Sequence, residues 1–376
     1  MRDLNGLLEK QNLTLLGSLI KVNRIRQNMS QQHLAQGICV PSYLSKIENG
    51  EVVPSLDIIE SLFDELDIRY YSDSNFLRES RELIDEFFDE LNLNGFVKSG
   101  EIFERLVKQE DKFIHSPLIV DYYLVHFAKF CSTSERDKFD EVLMMIQSIE
   151  HLLTNHQRFK YYFYLGLDQL LYYRDATLAR DLLLKSTNYE TTGHSLLYLA
   201  MAYYKLSSYY EAFEFAEKSY QTYLDEGNLI GLIGFYHFKA VLCYKVGSTE
   251  RALRQYERSV TYMRKLNRLE FLKEAQEGQT FMLNRLNQSD EPLVIEDTIT
   301  SQILTLCENG DKSQIDELQD LITKYKEQGM SNLLYDECLY ESVIKFYVRN
   351  RMYKDAYLLT GENHLWESLA FKRSLI

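Results

Sequence analysis

The amino-acid sequence predicts an all-α protein, and three observations carry that expectation. Turn chemistry is scarce: 376 residues hold only four prolines and 16 glycines, whereas a sandwich or barrel needs many turns. Leu, Glu and Lys, all good helix formers, are abundant. Apolar residues recur at helical spacing along most of the chain. With 45% hydrophobic and 26% charged residues, the chain can bury a core, which excludes wholesale disorder. Its length allows two or three domains.

The elements follow in order. Leu16, Leu19 and Ile20 begin a helical stripe that ends near Asn28. Ser30 is the expected N-cap of a short helix over 31–36, with Leu34 and Ala35 turned inward. Pro41 suits the first turn of the next helix, where a missing N–H costs nothing. That helix carries Tyr43, Leu44 and Ile47 and stops at Asn49-Gly50. Ser55 is placed to cap a fourth helix bearing Leu56, Ile59, Phe63 and Leu66. The polar stretch 72–75 marks a domain boundary, giving a head of residues 1–71 and a helical body of 72–376. Further stripes are Ile84, Phe87, Phe88 and Leu91; Val142, Ile146, Ile149 and Leu153; and Ile315, Leu318, Ile322 and Tyr325. The stretch Asn287 to Pro292 is the clearest later break, so 291–376 is a candidate C-terminal subdomain.

Within the body one pattern repeats. Ala200, Tyr203, Ala212, Ala216 and Ser219 recur 40 residues later as Ala240, Cys243, Ala252, Tyr256 and Ser259. Each copy has small residues, a tight turn (Ser207-Ser208 or Gly247-Ser248) and a second helix opening on Glu-Ala or Arg-Ala. Small residues where two antiparallel helices cross let the backbones approach. Weaker copies lie at Leu167, Ala179, Leu183 and Ser186, and near Tyr347 and Ala356. The layout resembles tetratricopeptide (TPR) repeats, and the resemblance implies a right-handed α-solenoid. The period of 40 exceeds the roughly 34 usual for such repeats, so longer helices are expected.

Several function classes are disfavoured. The N-terminal 20 residues have no continuous apolar core, so no secretory signal is expected. No apolar run is long enough to span a bilayer; residues 118–130 are broken by Asp121, His126 and Lys129. Five scattered cysteines without a C-x-x-C pair fit reduced thiols in the cytoplasm. No nucleotide-binding, zinc-protease or nucleophile-elbow motif occurs. His151 and His156 are off a common helical face, which argues against a metal pair. Paired acids such as Asp85-Glu86 read as a solvated helix face. No enzyme activity, metal or cofactor is expected.

Charge is uneven. Residues 1–50 carry a net +3 within a chain of net −14, so the rest is acidic. Only the head is suited to a polyanion.

The head's residues Ser30-Gln31, Leu34-Ala35, Ser45-Lys46-Ile47-Glu48, Gly50 and Pro54, with their spacing, resemble the Cro/C1 (Xre-type) helix-turn-helix family. The resemblance covers about residues 14–68. It implies that the helix from Pro41 enters the major groove of double-stranded operator DNA. Gln31 and Gln32 would then open the second helix toward a phosphate, and Ser42, Tyr43, Ser45 and Lys46 would face bases and backbone. Arg24 is expected either to pair with Glu48 or to lie near the DNA backbone. Asn23 departs from the pattern, which favours an apolar residue there. A protein–protein module is the alternative for the head.

Head and repeats together are similar to the peptide-responsive quorum-sensing regulators of the Rgg, PlcR, PrgX, NprR and Rap group, with phage arbitrium receptors as relatives. That resemblance implies a homodimeric transcriptional regulator switched by a short signalling peptide in the concave repeat surface. Aligning the repeats puts Tyr164 and Asp168, then Met201 and Tyr204, then His237 and Tyr244, on that surface, with Asn284 continuing it. Asp168 is the expected counter-charge for a basic residue or amino terminus of the peptide. The apolar end Leu365, Trp366, Leu369 and Phe371 is expected either to form the dimer contact or to cap the last repeat. The alternative function is a TPR-type adaptor that inhibits a partner such as a response regulator.

Overall fold

The computed structural model describes residues 5–9, 12–93, 96–131, 135–173, 175–268, 298–327 and 333–361, with single positions at 272, 276, 279, 282, 283 and 286. The described elements are helical, and none is a strand. The chain divides into two compact units, residues 1–165 with 188–190, and residues 166–187 with 191–376. The break at Asn287 to Pro292, the apolar end from Leu365 and candidate Asn284 lie outside the described residues.

The first unit opens with four helices: α1 (Leu13–Arg26), α2 (Gln31–Ala35), α3 (Pro41–Glu48) and α4 (Leu56–Glu65). Local chemistry sets their ends. Asn28 takes the left-handed conformation at φ 52°, and the Met29 N–H closes back on the Arg24 carbonyl. Ser30 caps α2, its hydroxyl accepting the His33 N–H at 3.1 Å. Val40, extended at φ −79° and ψ 144°, precedes Pro41 at the first position of α3, and Gly50, at φ 68°, turns the chain away after it. Ser55 does precede α4, yet its side chain makes no capping bond. The expected hydroxyl cap is therefore absent, and Pro54 is buried immediately before it.

Close approach fixes the crossing of α1 and α3. A Cβ on Gly17 would lie 2.6 Å from the Glu48 carbonyl oxygen, so only glycine fits. Around this crossing Leu16, Leu19, Ile20, Leu34, Leu44, Ile47 and Ile59 are all sealed from solvent. Glu48 is also fully buried. Its carboxylate accepts from Arg24 Nε at 2.6 Å and Nη2 at 2.9 Å, and from Gln31 Nε2 at 2.7 Å. A third Arg24 nitrogen, Nη1, donates to the Met29 carbonyl at 2.7 Å. Of the two roles open to Arg24, the internal pair is the one adopted. One carboxylate thus ties the end of α1, the start of α2 and the end of α3.

The unit continues through α5 (Ser74–Asn92), α6 (Phe96–Val107), α7 (Glu110–Phe113), α8 (Ile119–Cys131), α9 (Arg136–Ser148) and into α10 (Asn155–Asp168). The stripe from Val142 to Leu153 does not belong to one helix: α9 ends at Ser148 and a 3-10 turn follows over Glu150–Leu152. All four apolar residues remain buried, so the spacing reported burial correctly and continuity wrongly. Asn23 now has its explanation. It is 2% exposed, and its amide donates to the Leu19 carbonyl and to the Ile114 carbonyl, both at 2.9 Å. Beside it Arg26 donates to the Tyr123 hydroxyl and to Glu110, both at 2.8 Å. The head is therefore bonded to α7 and α8 through polar groups.

The second unit contains helix pairs. A π-helical turn over Gln169–Tyr173 follows α10. Then come α11 (Ala176–Thr187), α12 (Gly193–Lys205), α13 (Tyr209–Asp225), α14 (Gly231–Lys245) and α15 (Thr249–Lys265). Ala200, Ala212, Ala216, Ala240 and Ala252 are all fully buried at the crossings, as the repeat requires. The connections match as well: Ser207 and Gly247 take φ of 59° and 80°. The Ser208 and Ser248 N–H groups return to the Tyr203 and Cys243 carbonyls at 3.0 and 2.9 Å. The Tyr223 ring is wedged against both Gly193 and Gly231, where an added Cβ would come within 2.3 Å of it. Last are α16 (Thr298–Asn309), α17 (Ile315–Glu327), α18 (Leu333–Arg349) and α19 (Tyr353–Gly361). Arg349 binds the end of α16, donating to the Cys307, Glu308 and Gly310 carbonyls.

Two consequences can be measured. Glu48→Ala leaves the Arg24 guanidinium, 11% exposed, without its counter-charge; breaking a buried pair on one side costs roughly 3–5 kcal/mol, so denaturant melting of the full chain should show the first unit destabilised by that order. His194 lies edge-on to Tyr223 with centroids 5.2 Å apart, and burial pushes its imidazole down to about 4. The unfolded chain then binds the proton more readily, so the stability present above about pH 6.5 should fall as pH drops toward 4. His194→Phe should flatten that slope in thermal melts from pH 7 to 4.5.

Candidate functional site

The buried face of α3 is Leu44, Ile47 and Glu48. The opposite face must therefore carry Ser42 and Lys46, four residues apart, and both are exposed. Tyr43 and Ser45 flank that line and are half-buried. Gln32 is exposed on α2, whereas Gln31 is half-buried with its amide committed to Glu48. A phosphate at the start of α2 would thus meet backbone N–H groups and Gln32 more readily than the Gln31 amide. The arrangement offers a short polar ridge, Ser42 to Lys46, on a frame that cannot splay without breaking the Glu48 clamp. Such a ridge can donate to base edges and phosphates.

The repeat candidates fall in both units. Tyr164 belongs to the first, buried with its ring 6.0 Å from that of Phe88. The others belong to the second. Asp168 is 1% exposed and lies one residue before the π-helical turn. Met201 is half-buried on α12 and packs against the core formed by α12 to α15. Tyr204 is buried between Tyr209 and Phe238, at centroid distances of 6.0 and 5.8 Å. His237 is half-buried and edge-on to Tyr256 at 5.1 Å. Tyr244 is half-buried, with its hydroxyl donating to Glu341 of α18. Next to it, the Lys245 ammonium sits 5.1 Å from the Tyr340 ring centroid. Helix α18 therefore packs on the end of α14 at this candidate.

One polar group in the first unit escaped sequence reasoning. Lys160 of α10 is 7% exposed, with its ammonium 3.7 Å from the Phe88 ring centroid. Burial lowers its pKa, and Asp121 opposes that shift. Asp121 of α8 accepts from Gln157 Nε2 at 3.1 Å, and burial raises its carboxyl. The only hint was Asp121 interrupting the apolar run of residues 118–130. Among the described residues, no group of three or more His, Cys, Asp or Glu side chains could hold a metal ion. None of the described helices is long and apolar enough to cross a membrane.

No curated protein matches the sequence. Residues 20–70 match the family model described as Helix-turn-helix. Among solved structures, a Rap protein complexed with competence and sporulation factor is 15% identical, with a TM-score of 0.54 over 78% of this chain and 88% of that one. PlcR from Bacillus thuringiensis, solved with the peptide PapR7 and DNA, is 16% identical, with a TM-score of 0.42 over 69% of this chain and 98% of that one. The competence regulator ComR from Streptococcus vestibularis, in its apo form, is 19% identical, with a TM-score of 0.41 over 72% and 98%. The likeness to the Rap protein is one of fold, a TPR-like array of helical pairs. The chain thus joins a head that matches a helix-turn-helix model to helical pairs whose fold is similar to that of the Rap protein.

Proposed function

We propose that this protein is a sequence-specific transcriptional regulator that binds operator DNA as a homodimer and is switched by a short signalling peptide. The observation that carries the reading is the exposed Ser42–Lys46 ridge on a clamped helix-turn-helix head. In this reading Gln31, Gln32, Ser42, Tyr43, Ser45 and Lys46 form the DNA-facing set. The head spans residues 1–71, and the remainder is the sensing body. PlcR has been solved with peptide and DNA together, and a Rap protein with a signalling factor; these complexes make peptide control the natural counterpart of DNA binding here. The thiols of Cys39, Cys243 and Cys307, outside any disulfide, fit action in the cytoplasm.

The peptide is assigned to the first helices of successive repeats in the second unit, with Asp168, Met201, Tyr204, His237 and Tyr244 as contacts. Half-exposed Met201 and His237 supply apolar and polar contact, while Asp168 supplies negative charge to a basic residue or an amino terminus. An adaptor that inhibits a partner protein is the competing function. The head disfavours it, because such a role has no use for a DNA-facing ridge.

Three outcomes test the reading. Full-length protein should select a defined sequence from a randomised DNA duplex pool, and Lys46→Ala should weaken binding by about tenfold, the scale of one lost contact, with an unchanged melting curve. Light scattering at micromolar concentration should give a dimer mass; a monomer at that concentration counts against the assignment. A peptide recovered by mass spectrometry from protein purified out of its native cells should bind in calorimetry, and both Met201→Ala and Asp168→Ala should weaken it. Near-wild-type affinity in both would move the groove elsewhere.

A further inference from the structure

The tip of α3 carries a feature that polar recognition does not use. Val40 is 62% exposed, the most exposed large apolar residue described in the head. It sits immediately before the helix, and its carbonyl accepts the Tyr43 and Leu44 N–H groups at 2.9 and 3.1 Å. Two constraints hold its side chain in place. Pro41 confines the preceding residue to extended backbone, as found at φ −79° and ψ 144°. A β-branched side chain also has few χ1 options. The isopropyl group is therefore presented rigidly, two residues ahead of Ser42, where the Ser42–Lys46 ridge begins.

Phosphate binding does not account for this tip. A helix start holds an anion through its backbone N–H groups, and an exposed isopropyl side chain adds nothing to such a contact. Core packing does not account for Val40 either, since most of its surface faces solvent. In the major groove, the one apolar group on a base edge is the C5 methyl of thymine.

Resting on the proposed DNA-binding function, the geometry points to Val40 as a specificity-determining residue that reads a thymine methyl group in each half-site. Ser42 and Lys46 make the polar contacts beside it, and Val40 favours thymine over cytosine at that base by covering the methyl. Methyl burial of this kind is worth roughly a three- to tenfold change in affinity.

The experiment uses the full chain and the duplex it selects from a random pool. Each thymine of that duplex is replaced singly by uracil, which removes only the methyl group, and affinity is read by fluorescence anisotropy. In the native protein, one replacement per half-site should weaken binding about three- to tenfold. In Val40→Ala, already weaker by a similar factor, that same replacement should have little further effect. Because Val40 is exposed, the variant should keep the native melting curve, and Val40→Ile should retain the uracil penalty. If no replacement distinguishes native protein from Val40→Ala while both still bind the selected duplex, the thymine reading is overturned and the DNA-binding function stands. If no duplex is selected at all, the proposed function fails first and this inference falls with it.

Discussion

A carboxylate removed from water must be repaid in hydrogen bonds and opposite charge, or the fold that buries it will not hold. Glu48 meets that demand through two Arg24 nitrogens and the Gln31 amide. Those partners come from different helices, so satisfying one side chain fixes the relative placement of three. Gly17 completes the arrangement, since α1 can reach α3 only where no Cβ intervenes. The exposed Ser42–Lys46 ridge is held from behind by this buried network. Strength sits behind the helix and chemistry sits in front of it.

The second unit answers to a different constraint, the distance between helix axes. Fully buried alanines at the crossings of α12 with α13 and of α14 with α15 remove the bulk that would hold those helices apart. Tyr223 does the converse: its ring fills the room left by Gly193 and Gly231, at the starts of α12 and α14. Small residues and one large ring thus set the spacing of successive pairs. Close packing of apolar surface at these crossings contributes dispersion and burial together.

Much of this was legible in the sequence, for identifiable reasons. The helix ends of the head depend on local chemistry at Asn28, Ser30, Pro41 and Gly50, so they could be placed residue by residue. The repeat was visible because Ala200 and Ala240 answer a geometric need that few residues meet. What escaped depended on distant partners. Asn23 looked like a flaw in an apolar stripe until Ile114, 91 residues away, supplied the acceptor. Lys160 drew no notice in the sequence and Asp121 only broke an apolar run, because nothing local reveals the contacts with Phe88 and Gln157. Ser55 shows the opposite error: a residue suited to capping occupies the right position and makes no cap. The Val142–Leu153 stripe kept its inward direction across a helix break, since periodicity records which residues are buried and not whether the backbone is continuous.

The bond from Asn23 to Ile114 also bears on how such proteins can be rearranged. Helix-turn-helix heads are often treated as interchangeable parts, to be cut at the linker and fused to another sensor. Cut after residue 71, this head would keep its clamp but expose a buried amide whose acceptor lies beyond the cut, along with an Arg26 that has lost Tyr123 and Glu110. The unit of exchange is therefore larger than the sequence motif. It includes the helices through α8, and a working chimera would have to carry them along.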